Sequence, residues 1–269
     1  MNRFVKANAE WLKCYDNSIE EYKIQQLVKS LLPSTNSTNH ILDVGCGNGR
    51  SSFWLRKMFP HTEITAIDIN AENIEYAKQN KSIKHVQFLT SNAFDFFKNT
   101  KATIKYDIIM FSWSLFDMVA LYDQSEKYHQ LNILIEQAKQ HLNSEGCIIV
   151  TQPTKGGTFE KLLSKFMPDS DEDYYITHQY LIDSNFIGPK DALPSIYESY
   201  AIWSNFECTE EELFSGVSSV LMLETGAKIS KRDFCKILYS FAEENNINIR
   251  KKFKLSDCVN LYYWQNKKL

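Results

Sequence analysis

A run of three alternating glycines constrains this chain more than any other feature of its sequence. Residues 41–50 read Ile-Leu-Asp-Val-Gly-Cys-Gly-Asn-Gly-Arg, so an apolar stretch leads directly into Gly45, Gly47 and Gly49. Glycine has no Cβ, so such a turn can adopt backbone angles closed to other residues and can lie against a bound ligand. The residues that follow have helical spacing. The segment therefore predicts a strand, a turn able to bind a nucleotide-sized ligand, and a helix.

The glycine spacing distinguishes between two families of such turns. The dinucleotide fingerprint requires Gly-x-Gly-x-x-Gly, but Arg50 stands where its third glycine would be. The run from Asp43 to Gly49 instead closely resembles motif I of the class I S-adenosylmethionine-dependent methyltransferases. The resemblance implies S-adenosyl-L-methionine as cofactor, with its methionine end held by this turn. The turn residues expected to bind it are Asp43, Gly45, Cys46, Gly47, Asn48 and Gly49.

The next predicted strand ends in a carboxylate. The run Glu63-Ile-Thr-Ala-Ile-Asp-Ile is rich in strand-forming residues and places Asp68 about twenty residues beyond the glycines, where a doubly wound fold binds a ribose diol. An alternative is that Asp68 only caps the helix that begins at Ala71. With the glycine turn present, we expect Asp68 to bind the ribose.

A third predicted strand, Val86 to Leu89, leads into the segment Thr90-Ser-Asn-Ala-Phe-Asp. Methyltransferases of this class usually carry an aspartate here that accepts from the adenine amino group, whereas this chain has Asn92. An amide can donate as well as accept, so Asn92 is still expected to read the adenine edge. Ile69, Ala93 and Phe94 are expected beside the base.

A fourth strand is predicted from Tyr106, and its carboxyl end in the family lies between cofactor and methyl acceptor. Ser112 and Trp113 follow at that end. We therefore expect Ser112 to contact the cofactor and Trp113 to lie at the transferring methyl. The alternative is a tryptophan buried in a strand–helix junction.

The alternation of strands and helices predicts an α/β fold. The resemblance implies a doubly wound, seven-stranded, mostly parallel sheet of the Rossmann-like methyltransferase type, with a helical lid. The expected segments are a helical N-terminus at 1–38, the cofactor-binding core at 39–153, a helical and aromatic substrate lid with late core elements at 154–256, and a final strand at 257–269. Residues 197–206 predict the sixth strand, followed by helices near 210–223 and 231–244. A helical insertion before the sixth strand is the alternative.

The late helices resemble those of histamine N-methyltransferase and its relatives, which cover the acceptor pocket. Aromatic residues suited to such a pocket crowd this segment; they are Tyr174, Tyr175, Tyr180, Phe186, Tyr197, Tyr200, Trp203 and Phe206. For any single one of them, packing in the core is the favoured interpretation. His178 is the candidate general base, with an exposed loop histidine as the alternative. Tyr15 is expected to close over the cofactor.

Charge and cysteine content limit the substrate class and the cellular compartment that the sequence predicts. The formal net charge is −3, the pI is about 6.1 and the lysines are scattered, so a nucleic acid is not the expected substrate. The six cysteines include no Cys-x-x-Cys pair and read as reduced thiols. No apolar window reaches the length needed to span a bilayer. A cytoplasmic monomer or homodimer without a membrane partner is therefore expected.

These features predict methyl transfer from S-adenosyl-L-methionine to a nitrogen, oxygen or carboxylate of a small molecule, by direct in-line displacement. The chemistry needs no metal, and none is predicted. Two alternatives stay open: a protein or peptide methyltransferase, and a catalytically silent cofactor-binding scaffold subunit.

Overall fold

The computed structural model describes ten stretches of the chain. They are residues 24–29, 39–79, 85–100, 104–120, 122–153, 157–166, 172–187, 201–225, 227–247 and 252–266.

A seven-stranded sheet organises the fold, as predicted. The strands are β1 (His40–Val44), β2 (Glu63–Asp68), β3 (Val86–Thr90), β4 (Tyr106–Ser112), β5 (Leu142–Pro153), β6 (Ala201–Cys208) and β7 (Phe253–Gln265), in the order β3-β2-β1-β4-β5-β7-β6. The pairs β1–β2, β1–β4, β2–β3 and β4–β5 are parallel. The order turns from one direction to the other at β1 and β4, and ligands bind at the carboxyl ends of the strands at such a switch point.

Besides the helical stretch at 24–29, the described residues form helices after the parallel strands and between the later strands. They are α1 (Arg50–Met58), α2 (Ala71–Gln79), α3 (Ala93–Asn99) and α4 (Gln124–Gln140), then α5 (Thr158–Ser164), α6 (Glu172–Asp183), α7 (Glu210–Thr225) and α8 (Lys231–Glu244). The two helices expected between the sixth and seventh strands are present as α7 and α8. The helical insertion before the sixth strand, held as the alternative, is present too, as α5 and α6.

The described residues divide into two compact units. One falls within Lys23–Pro153, Glu172–Ile202 and Asn260–Leu269, and the other within Thr154–Asp171 and Trp203–Val259. The first unit holds the parallel strands, whose side chains are apolar on both faces; Ile41, Leu42 and Val44 are fully buried. Continuous burial of this kind is typical of a parallel sheet covered by helices on both sides.

Candidate functional site

The glycine turn lies between β1 and α1, and all three glycines adopt left-handed backbone angles. Gly45, Gly47 and Gly49 have φ of 72°, 53° and 88°. A Cβ on Gly45 would lie 2.4 Å from the Cβ of Ser114, whereas a Cβ on Gly47 would meet no atom of the described residues within 4 Å. The glycine at 45 is therefore required by close packing within the protein. The one at 47 leaves open space in front of the turn.

Asp43 holds the turn from inside the protein. Its side chain is fully buried, and Oδ2 accepts hydrogen bonds from the hydroxyls of Ser51 and Ser52 at 2.7 and 2.5 Å. Burial raises the pKa of the Asp43 carboxyl to about 6; the bonds from Ser52 and Ser51 oppose the shift, and the charge of Asp68 adds to it. Asp43 thus acts on the shape of the turn and on the first turn of α1.

Asp68 joins the end of β2 to the glycine turn. Its Oδ2 accepts from the backbone N–H of Gly47 at 2.8 Å, and its Oδ1 accepts from the N–H of Asn70 at 2.8 Å. Asn70, in turn, caps α2 by accepting from Glu72 N at 2.9 Å and Asn73 N at 3.3 Å. The capping residue of α2 is therefore Asn70. Each carboxylate oxygen of Asp68 keeps capacity for a second donor, as a ribose diol would require.

The residues expected beside the base follow β2 and β3, whose ends are joined by a bond from Ser91 N to Asp68 O at 2.9 Å. Ile69 is 70% exposed, the highest value among the large exposed apolar side chains of the described residues. Ala93 is buried, and Phe94 is half-buried with its ring 6.2 Å from that of Tyr122. Asn92 caps α3, with Oδ1 accepting from Phe94 N and Asp95 N.

Two further turn residues have different surroundings. Cys46 is buried, its N–H donates to Ile67 O at 2.9 Å, and burial raises the pKa of its thiol. Asn48 is half-buried.

Tyr15 lies outside the described residues, so its expected role stays a prediction.

The end of β4 carries an unusual backbone. Ser112 Oγ lies 3.2 Å from Thr151 Oγ1 of β5, and Trp113 N donates to Thr151 O at 2.8 Å. Trp113 itself has φ of 56° and is half-buried. A bulky residue in the left-handed region is uncommon and strained, and such residues cluster at functional sites. Ser114, next along, donates from Oγ to Val44 O at 2.7 Å and packs against Gly45.

His178 of α6 takes part in a polar chain that its sequence position does not reveal. Its Nδ1 is hydrogen-bonded to the hydroxyl of Tyr262, which also accepts from Asn260 Nδ2 at 3.1 Å. Tyr262 is fully buried and His178 is half-buried. Sequence analysis missed both β7 residues, because 84 positions separate His178 from Tyr262.

The strand register indicates where these hydrogen-bonded side chains lie along the length of the sheet. Asn266 N donates to Gly146 O at 2.9 Å, and β7 neighbours β5. Because β7 precedes Asn266 in the sequence, β7 lies beside β5 only if the two strands are antiparallel. Counting back from Asn266 and forward from Gly146, Tyr262 and Asn260 lie level with the last residues of β5. This is the level of Ser112, which pairs with Thr151.

Two of the aromatics from the predicted lid segment pack in the core. Tyr180 and Phe186 are each 1% exposed and belong to the core that also contains Phe111 and Tyr262. Core packing, the interpretation that the sequence favours for any single aromatic, therefore applies to both. Tyr197 and Tyr200 and the side chains of Tyr174, Tyr175, Trp203 and Phe206 lie outside the described part of the structure.

No group of three or more His, Cys, Asp or Glu side chains among the described residues is arranged to hold a metal ion. Within the same ranges, every helix is too short or too polar to cross a bilayer.

Comparison with known proteins gives a consistent result. Residues 35–190, more than half of the chain, match the family described as a methyltransferase domain. The chain is 28% identical over 163 residues to ribosomal RNA small subunit methyltransferase C of Haemophilus ducreyi, and 28% identical over 144 residues to malonyl-(acyl-carrier protein) O-methyltransferase of Bacillus anthracis. These matches cover 60% and 52% of this chain but 44% and 46% of those proteins. The chain therefore spans less than half the length of these curated relatives.

A solved structure supports the fold. A proposed type II methyltransferase of Anaeromyxobacter dehalogenans superposes with a TM-score of 0.57 at 11% identity, over 91% of this chain and 96% of that one.

Proposed function

Since the chain belongs to the methyltransferase-domain family, we propose that it transfers a methyl group from S-adenosyl-L-methionine to a nitrogen, oxygen or carboxylate of a small molecule. The observation that carries the proposal is the bond from Gly47 N to the Asp68 carboxylate. This bond joins a backbone turn that has open space in front of it to a carboxylate that can accept hydrogen bonds from a sugar diol.

The residues at the carboxyl ends of the first three strands fit this cofactor. The open space at Gly47 admits a ligand against the backbone, since a Cβ placed there meets no atom of the described residues within 4 Å. Asp68 can accept ribose hydroxyls, and the exposed Ile69 offers an apolar surface for the adenine. Asp43 supports this arrangement from the protein interior, because it accepts hydrogen bonds from Ser51 and Ser52 at the start of α1.

When bound, the cofactor supplies a methyl group already activated by its sulfonium. The chain's task is then to hold the acceptor in line, at a near-attack distance of about 3 to 3.5 Å, and to exclude water. We assign this positioning to Trp113, whose strained backbone sets its ring at the end of β4, and to Ser112 beside it. Strain at this point is consistent with a preorganised site.

His178 is the proposed base for an acceptor that must lose a proton. The Tyr262 hydroxyl and Asn260 restrain its ring at the level of the β5 carboxyl end. An imidazole nitrogen that carries no hydrogen can accept the proton that the acceptor loses. An acceptor that is already deprotonated would need positioning alone.

Charge favours a small acceptor. The net charge of −3 gives no general attraction for a polyanion. The relatives named above act on ribosomal RNA in one case and on an acyl-carrier-protein conjugate in the other, so their names do not decide the acceptor. They include no histamine methyltransferase, and that narrower resemblance stays a prediction. A cytoplasmic setting and a monomeric or homodimeric state also stay predictions.

Calorimetric titration with S-adenosylmethionine tests the cofactor. Asp68→Ala removes a charged acceptor of two hydrogen bonds, which should cost roughly 2 to 4 kcal/mol of binding free energy. Asn70→Ala is the matched control, because it removes the α2 cap from the same loop without touching the carboxylate. The control should lose about 1 kcal/mol of stability and little affinity. Equal affinities for wild type and Asp68→Ala would remove Asp68 from the site.

Methyl transfer itself is tested with labelled cofactor. Purified protein is incubated with a metabolite extract, with ribosomal RNA and with a peptide mixture, and S-adenosylhomocysteine release is measured in each. Turnover with the metabolites alone supports the proposal. Turnover with RNA or with peptides would show that the acceptor is a macromolecule of that class and not a small molecule. Tight cofactor binding without turnover in any mixture would favour the silent scaffold.

A further inference from the structure

The side chain of Asn92 has its oxygen committed to the protein. Oδ1 accepts from Phe94 N at 2.9 Å and from Asp95 N at 3.4 Å, the two bonds that cap α3. An amide oxygen has two lone pairs. The two lone pairs therefore face backbone N–H donors of α3 before any ligand arrives, through one short bond and one longer, weaker bond.

The orientation of this amide follows from the same contacts. If Oδ1 and Nδ2 exchanged places, amide hydrogens would face two backbone N–H donors and α3 would lose its cap. Nδ2 is consequently the end of Asn92 turned away from the helix. It carries two donors and no acceptor.

The position of Asn92 makes this polarity relevant to a ligand. Asn92 follows β3, and Ser91 N donates to the backbone oxygen of Asp68 at the end of β2. Asn92 is half-buried and Ile69, next to Asp68, is 70% exposed. A ligand whose sugar is held by Asp68 can extend its base over Ile69 towards Asn92.

We propose that Asn92 reads the base of the cofactor as a hydrogen-bond donor only, an inference that rests on the proposed function. The site then selects for an acceptor atom on the base edge and not for the exocyclic amine of adenine. Ring N1 of adenine and O6 of hypoxanthine are both such acceptors. A carboxylate at the same position would accept from the amine of adenine and repel O6 of hypoxanthine.

Calorimetric binding of S-adenosylhomocysteine and S-inosylhomocysteine to the full chain tests the proposal without requiring an acceptor. The matched variant is Asn92→Asp, because aspartate caps a helix as well as asparagine does; thermal unfolding checks that the fold is kept. Wild type should bind the two compounds within about fivefold of each other. Asn92→Asp should prefer the adenosyl compound by about tenfold or more, since its base reader becomes a charged acceptor.

The opposing results are distinct. A wild-type preference of tenfold or more for the adenosyl compound, unchanged in Asn92→Asp, would overturn the inference while leaving the proposed cofactor in place. Failure of both compounds to bind wild type would overturn the proposed function, and this inference with it.

Discussion

Two glycines of the same turn should respond differently to alanine, Gly45 mainly in stability and Gly47 mainly in cofactor affinity. Gly45→Ala places a methyl group 2.4 Å from Ser114 Cβ, 2.8 Å from Ser114 Oγ and 2.9 Å from Met118 Cε. Ser114 cannot easily yield, because its hydroxyl is bonded to Val44 O at 2.7 Å. Overpacking costs about 1 to 3 kcal/mol, and a left-handed alanine costs about 1 to 2 kcal/mol more. The loss of unfolding free energy should total roughly 2 to 5 kcal/mol.

Gly47→Ala meets no atom within 4 Å in the part of the chain that the structure describes, so only the backbone strain of about 1 to 2 kcal/mol should appear in its stability. Its methyl group instead projects into the space assigned to the cofactor, and affinity should fall by about tenfold or more. Urea unfolding measures the stability of both variants, and calorimetry with S-adenosylhomocysteine measures the affinity of Gly47→Ala. Wild-type affinity in Gly47→Ala would refute the reasoning, because the open space would then not be the ligand's.

Two further predictions concern groups behind the site. Asp43 has a folded pKa of about 6 against an ordinary 3.8, so its favourable contribution to stability is complete below pH 3.8 and is lost as pH rises through 6; a shift of this size corresponds to about 3 kcal/mol. Asp43→Asn should remove that decline, which urea unfolding at pH 4 to 7 would reveal, and parallel curves for the two proteins would contradict the assignment. Tyr262→Phe should lower kcat more than it raises KM and should alter the tautomer of the His178 ring seen by ¹⁵N NMR. An unchanged ring spectrum would show that Tyr262 does not position His178.

Local patterns were sufficient to predict the cofactor half of the fold. Strands β1 to β4 end at or within two residues of their predicted limits, because apolar runs followed by glycine or polar residues are strong local signals. The glycine turn and Asp68 were predicted for the same reason. The bond between them was not predicted, because a contact across 21 residues depends on the register of β1 against β2.

The features that escaped prediction are non-local or strained. Trp113 lies in a run that reads as an extended strand, and nothing in its neighbours signals a left-handed backbone. Asn70 was overlooked as the α2 cap because Asp68, two residues earlier, is an equally good candidate by composition. Tyr262 and His178 come together only when β7 returns beside β5. The sequence favours core packing for any single aromatic such as Tyr180, but it does not show that Tyr180 packs against Tyr128 of α4, because that contact depends on the position of α6.

A crystal of this protein soaked with S-adenosylmethionine tests the central claim most directly. The account predicts electron density for the amino-acid tail against the backbone of Gly45 to Gly49, with both ribose hydroxyls on the Asp68 carboxylate. An empty turn at saturating concentration, or density for the compound elsewhere in the protein, would contradict it.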